Sequence, residues 1–348
     1  MRMSAAMRAK LAAISVFERV PVPDVMARLV IEALVARTRT QLPADGEAAT
    51  RDFARAMAAL PIAVHTEAAN AQHYEVPAEF FGIVLGPRRK YSCCLYESDA
   101  ATLADAERAA LAATVARARL RDGQSILELG CGWGSLSLFM AERFPLATIL
   151  AVSNSKSQRA FIEDVARRRG LGNLSVVTAD VNSFNPEGSF DRVVSVEMFE
   201  HMSNWRSLLA GIRSWLKPDG LLFLHVFSHR CVPYRFDHDD PFDWIAQHFF
   251  TGGIMPSHGL IGEFAQLFET IEDWRWSGDN YARTADDWLT NFDRNPADTA
   301  RVLRATYGDQ AGLWQKRWRL FFLATSGLFG HRGGEEWGVS HYLLRPTN

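Results

Sequence analysis

Apolar positions change period along the chain. Through residues 1–72 they recur at helical spacing in Ala-rich stretches interrupted by Pro21, Pro23, Pro43 and Pro61. Proline lacks an N–H and its ring clashes with the preceding turn, so each marks a helix boundary. The pattern predicts an N-terminal helical subdomain over 1–72 and a second domain over 73–348. HYEVPAEFFGIVLG at 73–86 leads into a loop, KYSCC, at 90–94. A long helix is expected from Thr102 to about Leu120, with Asp105 placed to close a capping box.

After Asp122-Gly123, short apolar runs alternate with helical patterns. The runs are ILEL (126–129), TILAV (148–152), LSVVT (174–178), DRVVSV (191–196) and LLFLHVF (221–227). Helices are expected near Ser135, from Ser155 with Gln158 as a second capping box, and over 205–216 before the turn Lys217-Pro218-Asp219-Gly220. Such alternation predicts an α/β fold, a Rossmann-like doubly wound and mostly parallel sheet. The alternation then lapses. Residues 228–262, rich in His, Asp, Phe, Gly and Pro, read as an active-site insertion. Strands are expected at 271–276 and 339–344, around a helical stretch at 284–329 dense in Trp and Phe. The segments 228–262 and 284–329 are expected to form a substrate cap.

The run ILELGCGWG at 126–134 carries the first chemistry. Gly130, Gly132 and Gly134 let the backbone approach a ligand, and the helix from Ser135 points its positive end there. A dinucleotide turn wants G-x-G-x-x-G, whereas this chain has E-x-G-x-G-x-G. The carboxylate of Glu128 suits a ligand with a cationic amino group. The pattern resembles the first motif of class I S-adenosyl-L-methionine-dependent methyltransferases. That resemblance implies this cofactor, with Glu128 on its methionine amino group.

Two further strand ends add candidates. Strand two ends in Ser153 and Asn154 rather than in an acid, so a ribose partner must come from elsewhere, and Gln158 is the nearest. Gln158 is also explained by capping alone. Asp180, with Val181 beside it, stands at the carboxyl edge where ligands bind. In this class an acid there accepts from the adenine amino group.

SVEMFEHM at 195–202 sets Glu197, Glu200 and His201 within five positions after the fourth strand. A shared cation is one reading of such a cluster. The motif opens a loop, however, and no second His/carboxylate pair accompanies it, so no metal is expected. Adjacent carboxylates in a cleft raise one another's pKa and an imidazole titrates near neutrality, which suits a general base or a cationic substrate.

Bulk properties narrow the partners. With 348 residues and 48% hydrophobic composition the chain can bury a large core. Its net charge of −2 leaves no electrostatic footprint for nucleic acid. Four cysteines, Cys93, Cys94, Cys131 and Cys231, make neither a disulfide framework nor a paired zinc spacing, which fits a reducing cytoplasm. No apolar run approaches the roughly 20 residues of a membrane span. MRMSAAMRAKLAAISVF, at the start, reads as an amphipathic helix.

The chain resembles the cyclopropane-fatty-acid-synthase-like methyltransferases. Within them it looks most like the plant coclaurine N-methyltransferases and related benzylisoquinoline alkaloid N-methyltransferases. The shared runs are HYEVPAEFF (73–81), KYSCC, LELGCGWGSLSL (127–138), NSKSQ (154–158), EMFEHM (197–202), FFTGGIMPS (249–257), NYARTADDWL (280–289) and FGHRGGEEWGVSHYLL (329–344). Thr251 stands where lipid-cyclopropanating relatives tend to have proline, which leans towards N-methylation. The resemblance implies that Tyr91 and Ser92 close over the cofactor carboxylate. It implies Glu200 and His201 as the base pair for amine methylation and Glu197 at the substrate ammonium. In cyclopropane synthases the positions matching Cys93, Glu200, His225 and Tyr281 hold bicarbonate; Phe227 is bulkier here than that site favours.

The implied partner is a small-molecule amine, with a homodimer left open. Trp244, Phe249, Phe250, Trp288, Trp314, Trp318 and Phe322 are candidates for an aromatic lining that stabilises a cation. An unsaturated acyl chain is the alternative acceptor, and a binding protein that has lost catalysis is a third class.

Overall fold

The computed structural model describes residues 18, 22–64, 76–240 and 243–347. The expected boundary at 72/73 and the amphipathic helix at the start of the chain lie outside the described residues.

Seven strands make one sheet: β1 (Ser125–Leu129), β2 (Thr148–Ser153), β3 (Leu174–Thr178), β4 (Phe190–Val196), β5 (Leu216–His229), β8 (Phe268–Ser277) and β9 (Trp337–Pro346). Their spatial order is β3-β2-β1-β4-β5-β9-β8. The first five run parallel, and β9 is antiparallel to both neighbours. Leu127, Val193 and Leu222 are fully buried, as expected for strands covered on both faces. The order reverses between β1 and β4, so their carboxyl ends frame the crevice where doubly wound sheets bind ligands. Glu128 lies at one end and Glu197 just past the other.

Two helices precede the sheet: α1 (Asp24–Gln41) and α2 (Gly46–Met57). Next comes α3 (Ala78–Val84), then α4 (Leu103–Arg117), whose Thr102/Asp105 capping box forms as expected. α4 stops short of Leu120 because Arg119 turns to a φ of 52°. α5 (Ser135–Arg143), α6 (Lys156–Arg169) and α7 (Trp205–Trp215) connect the parallel strands.

Three sequence expectations change. Lys217-Pro218-Asp219-Gly220 follows the end of α7 at Trp215 as expected, but it lies inside β5 rather than ahead of it. Phe190 pairs with Leu216 and Arg192 with Leu221, so these residues loop out as a bulge inside β5. Ser155 caps α6 by accepting from Gln158 N, but the Gln158 side chain turns the other way and accepts from Ser153 Oγ at 2.7 Å. The stretch 284–329 starts earlier and divides into α9 (Asp279–Arg294), α10 (Pro296–Tyr307) and α11 (Ala311–Phe329). Pro296 and Gly308, with a φ of 54°, make the breaks.

The insertion after β5 contributes a ribbon of β6 (Tyr234–Arg235) and β7 (Ile254–Met255) around α8 (Trp244–His248). α1 lies against the cap: Ala27, Ile31 and Val35 are buried in one cluster with Phe322 and Phe329. Arg28–Asp286 and Arg319–Asp24 ion pairs, both 2.7 Å, fasten it there. Among the described residues no helix is long and apolar enough to cross a membrane.

Candidate active site

A cavity of about 1040 Å³ opens over the carboxyl edge of the sheet. Its floor is the glycine turn with Glu128, Gly130, Gly132, Trp133 and Ser135; α1, the insertion after β5, α9 and α11 close over it.

The three glycines do different work. A Cβ on Gly132, whose φ is 50°, would meet nothing within 4 Å, so this backbone is open to a ligand. At Gly130 a Cβ would strike Met198 at 2.6 Å. At Gly134 it would strike Ile162 of α6 at 2.6 Å, and Gly134 is not on the cavity wall. Gly134 thus packs against α6 and opens α5 off the cavity wall.

Glu128 is buried, and Ser137 donates to its Oε2. Burial pushes its carboxyl up to about 7, and the Ser137 hydroxyl opposes this. Such a group gains its charge most readily when a cation arrives. Trp133 Nε1 and Ser135 Oγ are buried on the floor without a partner among the described residues. α5 begins without a side-chain cap. An acid, spare donors, an open glycine and an uncapped helix start together fit a zwitterionic aminoacyl group of S-adenosyl-L-methionine. Tyr91, Ser92 and Gln158 line the same cavity.

Three expected cofactor residues stand elsewhere. Asn154 and Asp180 are exposed, and neither they nor Val181 line the cavity. Asp180 Oδ1 accepts from the Asn182 backbone N–H at 2.9 Å, a local turn that a strand-end acid forms readily.

The catalytic candidates converge on Glu197. Its Oε1 accepts from Cys93 N at 2.9 Å and faces His225 Nε2 at 3.1 Å; its Oε2 accepts from the Tyr281 hydroxyl at 2.7 Å. Burial raises its pKa, opposed by the Lys90 charge and by the Tyr281 and Cys93 donors. Its φ of 48° is strained for a non-glycine residue, a marker of functional positions. Lys90 is itself buried, its Nζ 2.6 Å from both Ser92 Oγ and Cys93 O.

Glu200 and His201 share one 3-10 turn, Phe199–His201, yet part company. His201 is on the cavity wall, its ring 4.5 Å from that of Phe250. Glu200 is fully buried off the wall, accepting from Phe227 N at 2.6 Å, with Oε2 unpartnered among the described residues. Burial and then the charge of Glu197 push its carboxyl well up, which favours its protonated form.

Of the expected aromatic lining, Trp244, Phe250 and Trp288 reach the cavity; Phe249, Trp314, Trp318 and Phe322 pack elsewhere, three of them with no exposure. Tyr234, Phe236, Phe321 and Phe329 complete the aromatic wall, and Ile31, Leu34 and Val35 supply an apolar one from α1. Sequence reading missed these. α1 carried a usable signal, since its residues recur at helical spacing.

The mycolic acid cyclopropane synthetase family model matches residues 63–332. This chain belongs to that family. It is an S-adenosyl-L-methionine-dependent methyltransferase of Rossmann-like fold. It is 36% identical over 292 residues to an (S)-coclaurine N-methyltransferase of Thalictrum flavum subsp. glaucum, covering 82% of this chain and 81% of that protein. The solved structure of a coclaurine N-methyltransferase bound to N-methylheliamine and SAH superposes with a TM-score of 0.92 at 33% identity, covering 98% of this chain and 100% of that one. A cyclopropane-fatty-acyl-phospholipid synthase of Escherichia coli is 30% identical over 64% of this chain and 55% of its own length.

Proposed function

We propose that this enzyme methylates the nitrogen of a small, aromatic or alkaloid-like amine enclosed in the cavity. The observation that carries the reading is one wall holding Glu197 and His201 while aromatic rings enclose the remaining space. The likeness to coclaurine N-methyltransferases over most of both chains supports it.

Glu128, Gly132, Ser92 and Gln158 would hold the cofactor. When bound, S-adenosyl-L-methionine supplies an electrophilic methyl group on a sulfonium. A protonated amine has no lone pair, so it must lose a proton before it can react. Glu197, held by three groups, attracts and orients the ammonium. In the Glu200/His201 pair, His201 is the member at the cavity and takes the proton, while Glu200 is the buried carboxyl behind the loop. Trp244, Trp288 and Phe250 exclude water and favour the cationic product through their ring faces. Holding donor and acceptor in line supplies much of the rate.

The test is methyl transfer from labelled cofactor to a panel of arylalkylamines and tetrahydroisoquinolines, with unsaturated phospholipid vesicles in parallel and mass analysis of products. N-methylated amine is the expected product. Methylene addition to lipid with no amine product overturns the reading.

A further inference from the structure

A chain of groups leads from Glu197 away from the cavity. His225 Nε2 lies 3.1 Å from Glu197 Oε1, and His225 Nδ1 lies 2.9 Å from His341 Nε2. His341 Nδ1 in turn meets the Arg117 guanidinium. His225 and His341 stand opposite each other in the β5–β9 register, so two paired strands fix the contact. Both imidazoles are fully buried, and neither they nor Arg117 line the cavity. Arg117, in the last turn of α4, is held over the rings of Trp274 and Trp276 at 5.0 and 5.3 Å.

The direction of each hydrogen bond follows. A guanidinium only donates. Burial, reinforced by Lys90 and Arg117, pushes both imidazoles well below their ordinary range, so both are neutral at pH 7. A neutral imidazole has one donor and one acceptor nitrogen. His341 Nδ1 therefore accepts from Arg117, and its Nε2–H donates to His225 Nδ1. That leaves His225 with its proton on Nε2, aimed at Glu197.

We propose that Arg117, remote from the cavity, is a positioning residue that sets the tautomers of His341 and His225 and thereby presents an N–H to the Glu197 carboxylate. The effect on rate rests on the role proposed for Glu197; the tautomers do not.

The carboxylate favours the same tautomers from its own end, so the decisive variant removes that pull. Full-length protein labelled with 15N-histidine is compared by long-range 1H–15N correlation as wild type, Glu197→Gln, and Glu197→Gln with Arg117→Met. Both rings are expected as Nε2–H in wild type and in Glu197→Gln, and as mixtures with the Nδ1–H form in the double variant. An Nδ1–H ring in either of the first two overturns the proposal, as do unchanged tautomers in the double variant. Should the double variant not fold, the Glu197→Gln spectrum decides alone. On an amine that wild type methylates, Arg117→Met should lower kcat roughly tenfold, about the worth of one such hydrogen bond, with Arg117→Lys recovering most of it. An unchanged kcat overturns the positioning role. Failure of every amine would sink the acceptor reading while leaving the spectra intact.

Discussion

Tyr281 donates its hydroxyl to Glu197 Oε2 at 2.7 Å, tying α9 to the loop after β4. Its ring is stacked on Phe329 with centroids 4.3 Å apart, so Tyr281→Phe should keep the packing and lose only the donor. A hydrogen bond to a charged group contributes about 1.5–3 kcal/mol, so kcat/KM should fall roughly ten- to hundredfold. The sign of the pH effect also follows. Burial already raises Glu197 and this donor opposes burial, so its removal raises the pKa further and moves the acid limb of kcat/KM to higher pH. A limb that stays in place would mean that Glu197 is not the group titrating.

Cys93 N–H, His225 and Tyr281 all point at one carboxylate, and that carboxylate belongs to the chain itself. Among the described residues these three donors are already taken, so a bicarbonate ion would have to displace Glu197 from them. Activity should be unchanged in buffer stripped of carbon dioxide. Glu197→Gly, which suits the φ of 48°, empties the donor set. Added bicarbonate or formate should then restore part of the lost rate. Bicarbonate dependence of the wild type is the outcome against this.

The sheet was readable in the sequence because β1 and the middles of β2 and β4 are buried and so appear as short apolar runs, and even the edge strand β3, with only Val176 buried, keeps an apolar centre. The Thr102/Asp105 cap was readable because it is local chemistry. Side-chain direction was not. Asp180 and Asn154 sit at the carboxyl edge as expected yet point to solvent, and Glu200 turns inward while its neighbour His201 faces the cavity. Trp288 and Trp318 both lie on cap helices, but one lines the cavity and the other fills the core. Helical period places a residue on a face without saying what that face meets. The link of Glu197 to His341 spans strands brought together only by the antiparallel insertion of β9.

Replacement of His201 and of Glu200 should not be equivalent. His201→Asn removes a base on the cavity wall and should lower kcat by about 10²-fold. Glu200 lies off the cavity wall and its burial disfavours the charged form, so Glu200→Gln, which leaves an acceptor for Phe227 N, should cost no more than about tenfold. Steady-state kinetics on both variants decide, and a larger loss in Glu200→Gln would make Glu200 the base.

The glycine turn offers a contrast between binding and stability. Gly132→Val places a side chain in open space beside the ligand path at a φ of 50° and should abolish binding of S-adenosylhomocysteine by calorimetry. Gly134→Ala instead drives a methyl into Ile162 and should lower Tm more than affinity, through overpacking worth about 1–3 kcal/mol. The reverse pattern would put Gly134 at the ligand.

Glu128 should show a direct conflict between stability and function. Its carboxyl titrates at about 7 in the fold against 4.5 unfolded, chiefly because of burial. The native state therefore binds the extra proton between these values, and stability falls as pH rises through that window. Above it the full penalty applies, about 3 kcal/mol at 1.36 kcal/mol per unit. Glu128→Gln removes the penalty. Without ligand it should melt higher than wild type at pH 8 and at about the same temperature near pH 4. It should also bind S-adenosylhomocysteine at least tenfold more weakly, because the amino group loses its charged partner. Thermal melts at the two pH values, with and without the ligand, check both halves. A variant that is no more stable at pH 8 would mean that Glu128 is solvated rather than buried, and one that binds normally would move the amino-group site elsewhere.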